Sequence, residues 1–434
     1  MAPTGPEPLA PGRGGRVPVS PTLAASEALA ARRDRGLPVL PLGFGEVGLP
    51  VLPELRELLA AAAGRNAYGP VAGLPELRAA AAGYWDRRGL PTSPQDVVCG
   101  PGSKALLFGL LMAVGADVAI PSPSWVSYAA QARLSGARAH LVAVPPGEGG
   151  GCDPGLLRQA VTAARAQGRR IGAVVVTMPD NPTGRTASAA TVRGLAEVAA
   201  EFDLVIICDE IYSDLRYDPA PPDGSPARRA AERTVITTGL SKSLALGGWR
   251  IGAARLPPGP LGRALRDQLL GIGSEIWSAP AGPVQQAAAW AFTDPPAVTG
   301  RIGASRRLHA AVARAAAARL TAAGLAVPPP QAAFYLYPDF EPWREHLRER
   351  AGLRTGAQLA GHLLDGYGMG ALPASAFGED ERALRLRLAT GLLYGDTDDQ
   401  REQALAAADP VALPWIAAAL DRLSEVLAAL GPAG

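Results

Sequence analysis

The middle of the chain alternates short apolar runs with stretches of helical periodicity. Val97–Cys99, Asp117–Ile120, Ala139–Val144, Ile171–Thr177, Leu204–Cys208, Thr234–Thr238 and Arg250–Arg255 read as strands. Between them, Ser103–Ala113, Pro154–Ala166 and Ser188–Glu201 carry apolar residues at helical spacing. Several strands are apolar throughout rather than at alternate positions, which suits strands covered on both faces. The alternation predicts an α/β domain with a largely parallel sheet over residues 65–300. Beyond residue 300 a long Ala/Arg/Leu helix, Ser305–Ala323, precedes short strands near Phe334–Tyr337, Gly370–Pro373 and Leu384–Ala389, and Ala412–Leu430 forms a closing helix. This predicts a smaller α+β domain over 301–434, with an N-terminal segment, 21–64, packed against it. Residues 1–20, rich in Pro and Gly, read as a flexible tail. Pro219–Pro226 and Gly147–Gly151 read as surface loops.

Composition narrows the classes. Hydrophobic residues make up 48% of 434, enough for a substantial core. A net charge of +2 offers no general field for nucleic acid or an anionic membrane. Three scattered cysteines form no disulfide framework, and four histidines show no metal-ligand spacing. No apolar run reaches membrane-spanning length and no secretory leader is visible, so a cytoplasmic protein without a metal is expected. Only two of the 42 basic residues are lysines, Lys104 and Lys242. A surviving lysine suggests work that a guanidinium cannot do, because only the amine can lose its proton and form an imine.

Four short stretches carry candidate chemistry. Gly43-Phe44-Gly45-Glu46-Val47-Gly48 fits G-x-G-x-x-G, but Pro50 and Pro53 follow and no acid lies between Glu57 and Glu76. That argues against dinucleotide binding and for a glycine loop shaping another site. Asn181-Pro182-Thr183-Gly184 is an ordinary turn taken alone, yet it follows a buried strand, where open α/β sheets place ligands. Cys208-Asp209-Glu210-Ile211-Tyr212 ends an apolar strand in a carboxylate that needs a partner. Taken alone, that acid reads as a helix cap or, with no histidine nearby, less well as a metal ligand. Lys242 follows the strand Thr234–Thr238, and Arg250 stands eight residues on; they are a candidate imine former and a candidate anion clamp.

Together, Ser241-Lys242 running to Gly247-Gly248-Trp249-Arg250-Ile251-Gly252, with N-P-T-G and D-E-I-Y upstream, resembles the class I/II aminotransferases. These are fold type I enzymes that use pyridoxal 5'-phosphate (PLP). The resemblance runs from Leu42 to the last helix. It implies a large PLP-binding domain with a mostly parallel central sheet and a smaller α+β domain. Lys242 would form the Schiff base and move the α-proton, and Asp209 would pair with the pyridine nitrogen. Asn181 and Tyr212 would bond the ring 3'-oxygen. Arg250, Ser241 and the helix-opening Gly102-Ser103-Lys104 would hold the phosphate. Trp125 would stack on the ring, and Tyr68 would reach the phosphate of a partner subunit, which implies a homodimer with shared sites. Gly45, Trp125 and Asn181 would border the substrate. In Arg385-Leu386-Arg387-Leu388-Ala389-Thr390, Arg385 is taken as the carboxylate clamp, with Arg387 as its competitor on the same face.

The chain departs from the family at Gly239, where many relatives carry a phosphate-binding hydroxyl that Thr238 or Ser241 would replace. Ala332 stands for a frequent glycine before Phe334-Tyr335. Leu392–Pro414 looks longer than usual and reads as a solvated helix start or a cover over the active-site mouth. The implied reaction moves the amine of an L-amino acid to a 2-oxo acid. The alternative is elimination, decarboxylation, cyclisation or oxidation with the same cofactor, possible in specialised metabolism. A transcription regulator built on this body is disfavoured, because residues 1–41 cannot hold a winged helix.

Overall fold

The structure, a computed structural model, describes residues 19–218 and 224–432. The expected tail therefore lies outside the described residues except for Val19 and Ser20, as does most of the loop expected at Pro219–Pro226. The first helices are α1 (Pro21–Asp34), α2 (Pro53–Ala61) and α3 (Pro75–Arg87), each with a proline in its first turn, where no N–H is required. An alternation of strands and helices follows. β1 (Val97–Gly100), α4 (Ser103–Val114), β2 (Asp117–Ser122), α5 (Ser127–Leu134) and β3 (Ala139–Ala143) lead to α6 (Pro154–Ala166), β4 (Ile171–Thr177), α7 (Ala189–Phe202) and β5 (Val205–Asp209). β6 (Thr234–Gly239), the one-turn α8 (Leu240–Ser243) and β7 (Gly252–Arg255) complete the sheet.

These seven strands lie in the order β1-β7-β6-β5-β4-β2-β3. All pairs are parallel except those of β7, which runs against both its neighbours. β4 is buried at every residue, which explains its unbroken apolar sequence. Register then sets the site: Thr177, Asp209 and Thr237 are neighbours across β4, β5 and β6, at their carboxyl ends.

Two further helices not expected from the sequence, α9 (Pro260–Ile276) and α10 (Gly282–Ala291), follow the sheet. α11 spans Pro296–Ala322 and starts well before Ser305, continuing through Gly300 and Gly303. The smaller domain adds β8 (Tyr335–Leu336), α12 (Arg344–Ala351), α13 (Gly356–Tyr367), β9 (Leu372–Pro373), β10 (Leu386–Ala389), α14 (Asp398–Ala406) and α15 (Pro414–Leu430). Its three strands form an antiparallel sheet, β8-β10-β9.

The N-terminal segment divides between the two bodies. Leu29 of α1 packs on Gly370, and Leu40 exchanges backbone hydrogen bonds with Gly368 and Gly370. α2 instead packs on α10, with Leu55 in one cluster with Trp85 and Ile236. No described helix is long and apolar enough to cross a membrane.

Candidate active site

A cavity of about 470 Å³ opens at the carboxyl ends of β4, β5 and β6. Asp209 forms its floor and is buried. Thr237 Oγ1 donates to Asp209 Oδ1 at 2.9 Å, and the Tyr128 hydroxyl donates to Oδ2 at 3.0 Å. Tyr128 is itself 2.6 Å from Thr177 Oγ1. Burial pushes the Asp209 carboxyl up to about 6, against the pull of these donors and of the Lys242 charge. A carboxylate held this way favours a cationic group above it.

Lys242 lies in the single turn of α8, directly after β6, and its Nζ donates to Gly45 O at 2.6 Å. Burial, helped by Arg387, Arg250 and Lys104, brings its amine down to about 8, with Glu46 opposing. The glycine loop thus borders this site, as its sequence suggested. A Cβ at Gly45 would stand 2.6 Å from the Tyr335 hydroxyl, so only glycine fits there without displacement.

Asn181 and Tyr212 meet on one wall, Asn181 Nδ2 donating to Tyr212 Oη at 3.4 Å. The N-P-T-G turn is held against the smaller domain, since Gln331 N and Ala332 N donate to Gly184 O. Gly184 has φ +67° and a Cβ there would strike the Tyr335 carbonyl. The Tyr335 hydroxyl in turn lies 2.8 Å from that of Tyr212.

Of the two late arginines, the expected clamp Arg385 is the one that stands away from the cavity. Arg387, not Arg385, lines the cavity. Arg387 is 1% exposed; its Nη2 donates to Gly43 O at 2.7 Å and its Nη1 to Asn181 Oδ1 at 3.3 Å. Its Nε has no partner, and no carboxylate pairs with it among the described residues. Arg385 is engaged elsewhere, with Asp339 at 2.9 Å and with Glu379, and its side chain is 40% exposed.

At the other end, Gly102 (φ +83°) caps α4, so Ser103 and Lys104 present the first turn of a twelve-residue helix to the cavity. Arg250, in a left-handed conformation with φ 52°, donates to Gly247 O at 2.8 Å. A side chain at Gly102 would collide with its guanidinium. Ser241 lines the same end, whereas Thr238 is buried outside the lining. Trp125 walls the cavity, its ring 5.2 Å edge-on from Tyr128, and Lys104 Nζ stands 5.1 Å from the Trp125 centroid.

Tyr68, like Arg385, is a singled-out residue that the fold does not bring to this site. It lies outside this cavity and is 93% exposed. The segment after Leu392 does not line the cavity either: α14 packs on α11, where Glu402 pairs with Arg301 at 2.8 Å. The lining includes instead Ser20, Thr22 and Leu23 at the start of α1, so Ser20 belongs to the folded body. Sequence reasoning missed these three, as well as Tyr128, Thr237 and Tyr335. Only Phe334-Tyr335, already noted beside Ala332, carried a local signal.

Residues 38–403 match the family described as aminotransferase class I and II. The chain is 32% identical over 329 residues to the aspartate/prephenate aminotransferase of Thermus thermophilus, covering 74% of this chain and 82% of that one. It is 32% identical over 388 residues to the aspartate aminotransferase of Geobacillus stearothermophilus, covering 86% and 92%. The solved aspartate aminotransferase from Thermus thermophilus with maleate superposes with a TM-score of 0.78 at 29% identity, over 94% of this chain and 96% of that one.

Proposed function

We propose, for a chain that belongs to the class I and II aminotransferase family, that it transfers the amine of a dicarboxylic L-amino acid, aspartate first, to a 2-oxo acid. That it is a PLP-dependent aminotransferase of fold type I follows from the family and the fold. The substrate, the residue roles and the assembly are our own reading.

The donor set fits the cofactor. A buried carboxylate, Asp209, suits a protonated ring nitrogen; a low-pKa amine, Lys242, suits a Schiff base; a helix N-terminus with Ser103, Ser241 and Arg250 suits a phosphate. When bound, the cofactor supplies an electron sink for the substrate's α-carbon. Asp209 would hold the ring nitrogen's proton. Lys242 takes and returns the α-proton at Nζ. Trp125 excludes water from one side.

One observation carries the substrate reading: Arg387 is a fully buried guanidinium with no carboxylate partner in the cavity that holds Lys242. A buried, unpaired charge is costly, and a substrate α-carboxylate would offset it. Lys104 supplies a second cation in the same cavity, unpaired with any acid among the described residues, and burial and Arg250 lower its pKa. It suits a side-chain carboxylate, in keeping with the aspartate aminotransferases and the maleate complex named above. Tyr68, exposed in the single chain, suits a homodimer in which it completes the partner's site. Three buried, unpaired cysteines agree with a reducing cytoplasm.

The test is a panel of amino acids offered to the purified enzyme with 2-oxoglutarate, following oxo-acid formation. Aspartate should lead. Lys104→Gln should cut kcat/KM for aspartate by about 10- to 100-fold, the worth of a charge-assisted hydrogen bond, and leave alanine nearly unchanged. Equal losses for both substrates would remove the dicarboxylate reading.

A further inference from the structure

We infer that Tyr335 is a positioning residue that aims the hydroxyl proton of Tyr212 into the cofactor site; this rests on the reading above that Tyr212 faces the cofactor's ring oxygen. Arg387 has only N–H groups to offer, and its Nη1 bonds Asn181 Oδ1 at 3.3 Å. That fixes the amide, leaving Asn181 Nδ2 as donor to Tyr212 Oη at 3.4 Å. The Tyr212 oxygen therefore accepts one bond already. It has one proton and one more lone pair to commit.

The remaining neighbour is Tyr335, whose hydroxyl is 2.8 Å away and fits either direction of donation. Tyr335 is fully buried, and Tyr212 is its hydroxyl's sole partner among the described residues. If Tyr212 donated to it, the Tyr335 proton would be buried with no acceptor among the described residues, since the Tyr335 hydroxyl has no other partner there. If Tyr335 donates, its proton is satisfied and both lone pairs of Tyr212 are filled. The Tyr212 proton is then left for an acceptor in the cavity.

Accepting two bonds also polarises the Tyr212 O–H and strengthens it as a donor. The charged or titratable groups that face this pair are Arg387 from β10, Asp209 from β5 and Asp180 beside the N-P-T-G turn. Arg387 also stands over the Tyr335 ring, 5.2 Å from its centroid. Gly45 leaves room for the pair, since any side chain there would press on the Tyr335 hydroxyl.

The sign of one measurement decides the matter. The PLP-loaded enzyme is titrated with pH while the absorbance of the bound cofactor is followed, for wild type, Tyr335→Phe and Tyr212→Phe. A donor to the ring oxygen lowers the proton affinity of the adjoining imine nitrogen, so weakening it raises the midpoint. Tyr335→Phe should raise the midpoint by about half a unit, a fraction of one hydrogen bond. Tyr212→Phe should raise it further, and adding Tyr335→Phe to that background should change nothing. A fall in the Tyr335→Phe midpoint would mean that Tyr212 donates to Tyr335 in the wild type, and overturns the proposal. An unmoved midpoint would reduce Tyr335 to packing, and overturns it too. An unmoved midpoint in Tyr212→Phe would instead overturn the placement of the cofactor on which the proposal rests. Should Tyr335→Phe fail to fold, 3-fluorotyrosine at position 335 keeps the shape and strengthens the donor. The midpoint should then fall, and a rise would overturn the proposal.

Discussion

The Lys242 amine donates to the Gly45 carbonyl at 2.6 Å, across 197 positions of sequence. The contact joins the end of the sheet to the glycine loop of the N-terminal segment. It also holds the amine in a buried place, where its proton is easily lost.

The first prediction follows from that burial. With the Lys242 pKa at about 8 rather than 10.5, the neutral amine is abundant at moderately alkaline pH. The rate at which apoprotein takes up PLP covalently should rise with pH and level off above about 8. The unfolded chain binds more protons here between about 8 and 10.5, so apoprotein stability should rise across that window. Lys242→Ala should abolish turnover, retain PLP without a covalent bond and lose that pH-dependent gain. Borohydride trapping of the cofactor on Lys104 would refute the assignment.

A second prediction separates the two late arginines. Arg387→Ala removes a buried clamp and should lower kcat/KM for the amino acid by about 30- to 5,000-fold, in line with about 2–5 kcal/mol for a truncated buried charge pair. Arg385 pairs at a half-exposed position with Asp339 and Glu379, so Arg385→Ala should cost about 1 kcal/mol or less of stability and little activity. Steady-state kinetics with denaturant melts on both variants reads this directly. Equal kinetic losses would reopen the choice.

That choice shows where the sequence was legible and where it was not. Parallel strands buried on both faces are apolar throughout, so their positions could be read to within a residue or two. Asn181, Asp209, Lys242 and Arg250 each stand in a local motif. Arg385 and Arg387 share a face by parity, and their fates are decided by Asp339 and Glu379, which a strand pattern does not reveal. Thr237 and Tyr128 became partners of Asp209 through sheet register and through α5, and Tyr335 meets Tyr212 across 123 positions. No local spacing encodes such meetings.

Asp209→Asn should trade activity for stability. Burial raises this carboxyl to about 6, so its charge destabilises the apoprotein above that pH. Its pKa in the unfolded chain is the ordinary 3.8, so the native state binds the extra proton between about 3.8 and 6. The wild type therefore loses stability as pH rises through that window. The amide should be the more stable apoprotein above about pH 6, with the advantage gone below about pH 4. The same change leaves the ring nitrogen without an anion and should slow α-proton removal by tens- to thousands-fold, or about 2–5 kcal/mol. Thermal melts of the apoproteins and exchange of the substrate α-proton test the two halves. A rate of exchange equal to wild type would take Asp209 out of the chemistry.

The last prediction concerns Tyr68, an aromatic ring that is 93% exposed in a single chain and lies outside the cavity. It stands between α2 and α3, and Ile276 at the end of α9 is also half exposed. If Tyr68 serves the site of a second copy, the contact is twofold and each site draws on two chains. Two inactive variants can then complement each other. In a hybrid of a Lys242→Ala chain with a Tyr68→Ala chain, one site carries both lesions. The other takes Lys242 from the second chain and Tyr68 from the first, and is intact. Differently tagged chains, unfolded together, refolded and isolated as hybrids, should therefore recover up to about half the wild-type activity per dimer. The parent homodimers stay inactive, because every site in them carries a lesion. Recovery of nothing would mean that Tyr68 acts within its own subunit, since both lesions would then fall on separate sites and neither site would be whole.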